Sequence, residues 1–267
     1  MKQLLFIAVL CLVALTLQSC KDGDSPTDAS APATTTVTLG TASNAGTTIT
    51  LTSTDTLRVG YNTIAIRVAD SASGAVQKNV KVTVSPMMHM MSMMHACPIE
   101  QPTDSVITGE TFSSSMVFIM PGSGMEYWAL TVSFVDPVRG KTGSVEIPVT
   151  VVNASRLVNF TAPDSTRYFV TMRTTGTPKV GMNQCEFLVH RMQSMMMFPP
   201  VTDVTLEMTP DMPSMGHGSP GNVNPGHTSK GHYTGTVNYT MTGVWRITLV
   251  VKKNNVAQGT AVFMVTL

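Results

Sequence analysis

The stretch VNYTMTGVWRITLVV runs from Val237 to Val251. Its apolar side chains fall on every second position: Val237, Tyr239 and Met241, then, beyond Thr242-Gly243, Trp245, Ile247, Leu249 and Val251. A two-residue period sends successive side chains to opposite faces of an extended chain, so each run predicts a half-buried β-strand and the Thr-Gly pair a turn between them. An earlier stretch follows the same plan. Met116, Phe118 and Met120 lead through Pro121-Gly122-Ser123-Gly124 to Trp128, Leu130, Val132 and Phe134. The phase of Trp128 and Trp245 agrees with their aliphatic neighbours, which marks both as core anchors.

The correspondence spreads outward from these strands. Leu57-Arg58-Val59-Gly60-Tyr61-Asn62 matches Pro178-Lys179-Val180-Gly181-Met182-Asn183. Alternating positions follow in both, at Ile64, Ile66 and Val68 and at Cys185, Phe187 and Val189. Val80, Val82 and Val84 then parallel Val204, Leu206 and Met208, and each half closes on a strand, Gly143 to Val151 and Gly259 to Leu267. The chain reads as an internal duplication with no helical periodicity of useful length. Strands rich in Thr and Val, separated by Gly, Pro, Asn and Ser, predict an all-β protein of two tandem immunoglobulin-like antiparallel β-sandwich domains. The expected domains are residues 36–153 and 154–267, with the joint near Asn153 to Arg156.

Between the matched strands lies unusual chemistry. Pro86 to Pro98 reads PMMHMMSMMHACP, and Thr209 to Pro220 reads TPDMPSMGHGSP. Ser92, Met93, His95 and Pro98 align with Ser214, Met215, His217 and Pro220 at a constant offset of 122. Thioethers and thiolates are soft ligands that select Cu(I), and imidazole is borderline. The candidate donors are Met87, Met88, His89, Met90, Met91, Met93, Met94, His95 and Cys97 in the first copy, and Met212, Met215 and His217 in the second. Met120 and Met241 share a phase with core positions; they either pack inward or point from the strand end toward the loop. Thioethers do not titrate, so such a site resists the proton competition that weakens His and Cys binding. Zinc is disfavoured because no Cys-x-x-Cys pair is present. The competing reading is plain apolar packing, for methionine is an adaptable filler and is common on promiscuous binding surfaces.

The N-terminus carries a separate signal. Lys2 precedes an apolar run, Leu4 to Leu17, too short to span a bilayer, as expected of a signal peptide over residues 1–19. It ends in Leu17-Gln18-Ser19-Cys20, which resembles a bacterial lipobox and makes Cys20 the candidate lipidation site. Residues 20–35, rich in Ser, Thr, Ala and Pro, predict a tether. The expectation is a membrane-anchored lipoprotein of the bacterial cell envelope, periplasmic or surface-exposed. Apart from Cys11 in the leader and Cys20, only Cys97 and Cys185 remain. Cys185 takes the inward position of Ile64, while Cys97 lies in the loop beside His95 as a ligand candidate. A Cys97–Cys185 disulfide is the rival, joining a loop of one domain to a core position of the other.

The second half, with Met212-Pro213-Ser214-Met215-Gly216-His217 and Met241-Thr242-Gly243-Val244-Trp245 in order after the Val-Gly-x-Asn strand, resembles the YtkA-like domain, related to the FixH group. The resemblance covers about Pro178 to Leu267. It implies a small exported immunoglobulin-like β-sandwich associated with copper handling or respiratory-oxidase maturation, and so a copper transporter, oxidase or efflux component as partner. The first half departs from the pattern: it has Met90-Met91-Ser92-Met93-Met94-His95 and extra residues before Trp128.

Other functions find little support. The net charge is +1 with no basic run, which argues against nucleic acid. Charged residues are only 12% of the chain, which leaves few groups for acid–base chemistry. Gly122-Ser123-Gly124 lacks the context of a nucleophile elbow, and no phosphate-cradling loop or His-Glu-x-x-His occurs. Three readings follow in order: an anchored Cu(I)-binding protein, a metal-free binding or structural module whose Met-rich loops contact another protein, and an enzyme last.

Overall fold

The computed structural model describes residues 36–173 and 175–267. The expected signal peptide, Cys20 and the tether lie outside them. The described residues form β-strands and turns with no helix, and among them no helix is long and apolar enough to cross a membrane.

The first half contributes β1 (Val37–Asn44), β2 (Thr47–Ser53), β3 (Gly60–Asp70), β4 (Lys81–His89), β5 (Met94–His95), β6 (Ile99–Glu100), β7 (Phe112–Phe118), β8 (Tyr127–Asp136) and β9 (Lys141–Val149). The second contributes β10 (Leu157–Thr161), β11 (Arg167–Arg173), β12 (Gly181–Met192), β13 (Thr205–Met212), β14 (His217–Gly218), β15 (Val223–Ser229), β16 (His232–Tyr239), β17 (Val244–Lys253) and β18 (Val256–Thr266). Sheet orders are β1-β2-β3-β7-β6 with β5-β4-β8-β9, and β10-β11-β12-β16-β15 with β14-β13-β17-β18. The two halves therefore share one topology, strand for strand, and every ladder within these four sheets is antiparallel. The tandem sandwiches predicted from the alternation are the observed fold.

Each sandwich closes over its own core. Ile49, Leu51, Ile64, Ile66, Trp128, Leu130, Val132 and Phe134 pack in the first, and Tyr168, Phe187, Val189, Tyr233, Trp245, Ile247, Leu249 and Phe263 in the second. Burying a large apolar side chain of this kind contributes about 1.5–3 kcal/mol, so the inward rows of these strands dominate the stability of each half. Cys185 lies half-buried at the edge of the second core, its thiol 3.8 Å from the sulfur of Met208 and pushed up to about 11 by burial.

The shared Gly-x-Asn has a physical origin. Gly60 and Gly181 have φ of 105° and 103°, a region that favours glycine. Two residues on, Asn62 Nδ2 donates to the carbonyls of Arg58 and Gly60, both at 2.7 Å, while its Oδ1 accepts from Arg58 N at 2.9 Å. Asn183 holds Lys179 and Gly181 in the same way, at 2.6, 2.7 and 3.0 Å. The asparagine side chain thus satisfies backbone groups that the sharp entry into β3 or β12 leaves unpaired.

The sandwiches meet in a small apolar contact and an ionic cluster. Ala96, Phe169 and Phe198 form the apolar contact, with Met87, Ile119, Leu157 and Met192 packed against it. In the ionic cluster, His232 presents Nε2 to Glu100 of the first sandwich at 2.6 Å and Nδ1 to Glu186 of its own at 2.5 Å. Arg173 pairs with Glu186 at 2.9 Å and lies over the Tyr61 ring, 4.8 Å from its centroid. With a carboxylate oxygen at each ring nitrogen, His232 donates from both only as the imidazolium. The hydrogen bond to Glu100 raises its pKa, burial opposes the rise, and Glu186 reinforces it. Glu100 is lowered in turn, chiefly by its hydrogen bond with His232. His190 behind them is pushed down to about 4 by burial and by the His232 charge.

Two predictions follow from this framework. The His232 contribution is fully present below the ordinary histidine value of 6.5 and fades as pH rises through its raised folded value. The Glu100 contribution is present above 4.5 and fades as pH falls through its lowered value. Thermal unfolding across a pH series is expected to show the ionic cluster contributing most between those limits, and His232→Gln is expected to remove that difference from wild type. Asn62→Ala is expected to cost about 1–3 kcal/mol in urea denaturation, because three backbone groups lose their partner.

Candidate metal sites at the sandwich mouths

The antiparallel register of β4 sorts the donors of the first loop. Met88 is directly opposite His95 on β5 and opposite Trp128 on β8. Directly opposed residues share a sheet face, and Met88, His95 and Trp128 are all buried, so this face is the inner one. The neighbouring row, His89 with Met94 and Tyr127, lies on the outer face. One step along the strand thus separates Met88 from His89.

At the inner mouth, the His95 ring meets the Trp128 indole edge-on with centroids 5.3 Å apart. Its Nδ1 lies 2.8 Å from the carbonyl oxygen of Ala96, to which only a protonated Nδ1 can donate. In the neutral ring this leaves Nε2 with a free lone pair, and Nε2 lies 3.2 Å from the Met120 sulfur. The Trp128 indole N–H donates to the Met120 carbonyl at 2.9 Å and so fixes the strand end that carries this thioether. Met90, next on the inner side, is half-buried against the same core.

The second mouth repeats these relations. Met212 is opposite His217 across β13 and β14. His217 Nδ1 lies 2.9 Å from the Gly218 carbonyl oxygen, and its ring meets Trp245 edge-on at 6.0 Å. The Trp245 indole donates to the Met241 carbonyl at 3.1 Å. Gly243, with φ of 133°, leaves room for the Met212 thioether: a Cβ there would stand 3.0 Å from its methyl and 3.8 Å from its sulfur. This mouth is more open, for His217 is half-buried where His95 is buried, and Met241 is exposed.

The structure brings together only part of the predicted donor set. His95 and Met120 meet; Met212 lies opposite His217, which is edge-on to Trp245, and Met241 joins them only through the carbonyl that accepts from that indole. Met93, Met94 and Met215 are exposed. His89 stacks on Tyr127 on the outer face, with centroids 4.8 Å apart. Cys97 is corrected most clearly. Its side chain is in the first core among aliphatic residues, and burial pushes its thiol well above the ordinary value, so it is a poor thiolate ligand. Cys97 and Cys185 are both free, which also removes the rival disulfide.

Of the first loop's methionines the register singles out Met88 as the one opposite His95 and Trp128. The loop offset of 122 pairs Met90 with Met212, whereas the strand offset of 124, already visible in Val80 and Val204, pairs Met88 with Met212. The first loop is two residues longer. Among the described residues no group of three or more His, Cys, Asp or Glu is placed to hold a metal ion, so a metal site here depends on thioether sulfur. A cleft of about 720 Å³ lined by Met172, Cys185, Tyr239 and Met264 opens in the second sandwich, and none of Met212, His217 or Met241 borders it.

Comparisons with known proteins give a family match within the second half and solved structures of low similarity. No curated protein matches this sequence. Among solved structures, domains 5–6 of the S-layer protein SbsC are 18% identical, covering 87% of this chain and 99% of that one with a TM-score of 0.33. The bacterial integrin-binding protein invasin is 12% identical over 87% of this chain and 38% of its own, with a TM-score of 0.27. The Escherichia coli adhesin FdeC is 14% identical over 87% of this chain and 82% of its own, with a TM-score of 0.25. Residues 163–250, which span β11 to most of β17 and include Met212, His217, Met241 and Trp245, match the YtkA-like family, and the chain therefore carries a YtkA-like domain.

Proposed function

We propose that this chain is an exported, membrane-anchored Cu(I)-binding protein with one Met/His site at the mouth of each sandwich, serving copper buffering or delivery. One observation carries the reading. Each half holds an imidazole whose Nδ1 is tied to the next residue's carbonyl, edge-on to a tryptophan whose indole N–H anchors the strand-end methionine. Metal-binding histidines commonly have the far ring nitrogen held by such a bond, which sets tautomer and ring orientation. The donor chemistry suits Cu(I), which accepts soft sulfur and borderline nitrogen. In the first site Met88, His95 and Met120 would hold the ion, with Met90 in reach; in the second, Met212, His217 and Met241.

Each side chain has its own task in this reading. The free lone pair of Nε2 supplies a directed ligand, and the thioethers supply donors that stay available in acid. The indole edge beside each imidazole excludes water from one side. The more open second mouth suits exchange with a partner, such as a copper transporter, oxidase or efflux component, and the buried first mouth suits retention. The exposed Met91, Met93, Met94 and Met215 favour a second reading, a metal-free module that docks another protein through its Met-rich loops. Neither reading calls for catalysis.

Competition of Cu(I) against a chromogenic chelator is the direct test. His95→Phe with His217→Phe is expected to weaken binding at least tenfold, and Met88→Leu with Met212→Leu to weaken it while leaving the fold intact by circular dichroism. Negligible affinity, or affinity indifferent to all four changes, removes the copper reading. The docking reading predicts that Met→Leu at Met91, Met93, Met94 and Met215 is tolerated while Met→Ser abolishes capture of a partner. Anchoring is tested separately: Cys20→Ser is expected to move the protein from the membrane to the soluble fraction of the cells, and protease shaving of intact cells would report the membrane face.

A further inference from the structure

The outer face of the first sandwich carries a second group of soft donors that the two mouths do not use. His89 lies there opposite Met94, stacked on Tyr127, and its Nε2 is buried with no hydrogen-bond partner. A buried polar nitrogen left unpaired is unfavourable, and native structures rarely keep one without a reason. One residue beyond β5, the Ala96 N–H donates to the Met195 carbonyl of the second sandwich at 2.9 Å. Met195 and Met196 form the tip of a tight turn closed by reciprocal bonds between Ser194 and Met197, both 3.2 Å, so the turn lies along the edge that carries Met94. Met195, Met196 and Met197 are all exposed, as is Met94. Two further thioethers, Met87 and Met192, pack from the two sandwiches against the Ala96 contact.

We infer that a third Cu(I) site forms on the outer face at the junction of the sandwiches, with His89 Nε2 and the Met94 thioether from the first and thioethers of the Met195–Met197 turn from the second. The inference rests on the reading that the chain takes Cu(I), and it adds a site that neither half holds alone. The orphaned Nε2 supplies the one directed lone pair. The flexible methionine arms close around it from a turn that the Ala96–Met195 bond already holds in place. Binding there would tie the sandwiches together through metal, whereas the mouths are each confined to one half.

The test is Cu(I) stoichiometry of the full chain in detergent, with Cu(I) supplied from a competing chelator. The wild-type chain is expected to bind three equivalents. The outer variant, His89→Phe, Met94→Leu and Met195→Leu, Met196→Leu and Met197→Leu, keeps the apolar volume and is expected to bind two. The inner variant, His95→Phe with His217→Phe, is expected to retain one equivalent. Hydrogen exchange at the Ala96 amide is expected to slow on Cu(I) loading in wild type and in the inner variant, but not in the outer one. An outer variant that binds as many equivalents as wild type, with Ala96 protection unchanged, overturns the third site and leaves the mouths standing. An inner variant indistinguishable from wild type, with a diminished outer variant, overturns the mouth sites and leaves this one. No Cu(I) bound by wild type overturns both.

Discussion

The pleat of a β-strand governs this molecule. Successive residues of β4 face opposite ways, so a sequence dense in sulfur and imidazole cannot present all its donors to one ion. Met88 and His95 turn inward beneath Trp128, and His89 and Met94 turn outward beside Tyr127. The same constraint acts in β13, where Met212 and His217 share the inner row at the second mouth. What looks like one methionine-rich loop is, in space, two separate surfaces backed by one sheet.

The two indoles join packing to chemistry. Trp128 and Trp245 fill the ends of their cores, and the polar edge of each ring still reaches a backbone carbonyl, as buried tryptophan requires. That carbonyl belongs to a methionine two residues past the preceding strand, Met120 after β7 or Met241 after β16. The ring that stabilises each sandwich therefore also positions a candidate donor. Such coupling explains why the same residue types recur in both halves although the turns between them differ, Pro121 to Gly124 in one and Thr242-Gly243 in the other.

Much of the fold was legible in the sequence because alternation and turn chemistry are local. The tryptophan-led strands and the Gly-x-Asn entries appear where the periodicity puts them, the runs before the tryptophans end at Phe118 and Tyr239, two residues short of Met120 and Met241, and Asn62 and Asn183 explain their motif through bonds spanning at most four residues. The donor grouping was less legible because it depends on register. The two-residue difference in loop length disguised Met88 as the counterpart of Met212. Cys97 was placed with the loop by its proximity to His95, yet the chain turns inward after β5 and carries the thiol into the core. Nothing local announced that His232 would meet Glu100, 132 residues away. That pairing depends on how one sandwich lies against the other.

His232 also bears on the history of the duplication. Its two carboxylate partners come from different halves, Glu186 across the ladder to β12 and Glu100 from β6, a two-residue strand in the place that the seven-residue β15 occupies in the second half. Twin copies began as equivalents, and this contact has given them distinct, fixed positions. Exchanging their order along the chain would strand a cation at one end and an acid at the other. An appended copy would share such a contact only if it brought a histidine and a carboxylate to the equivalent positions.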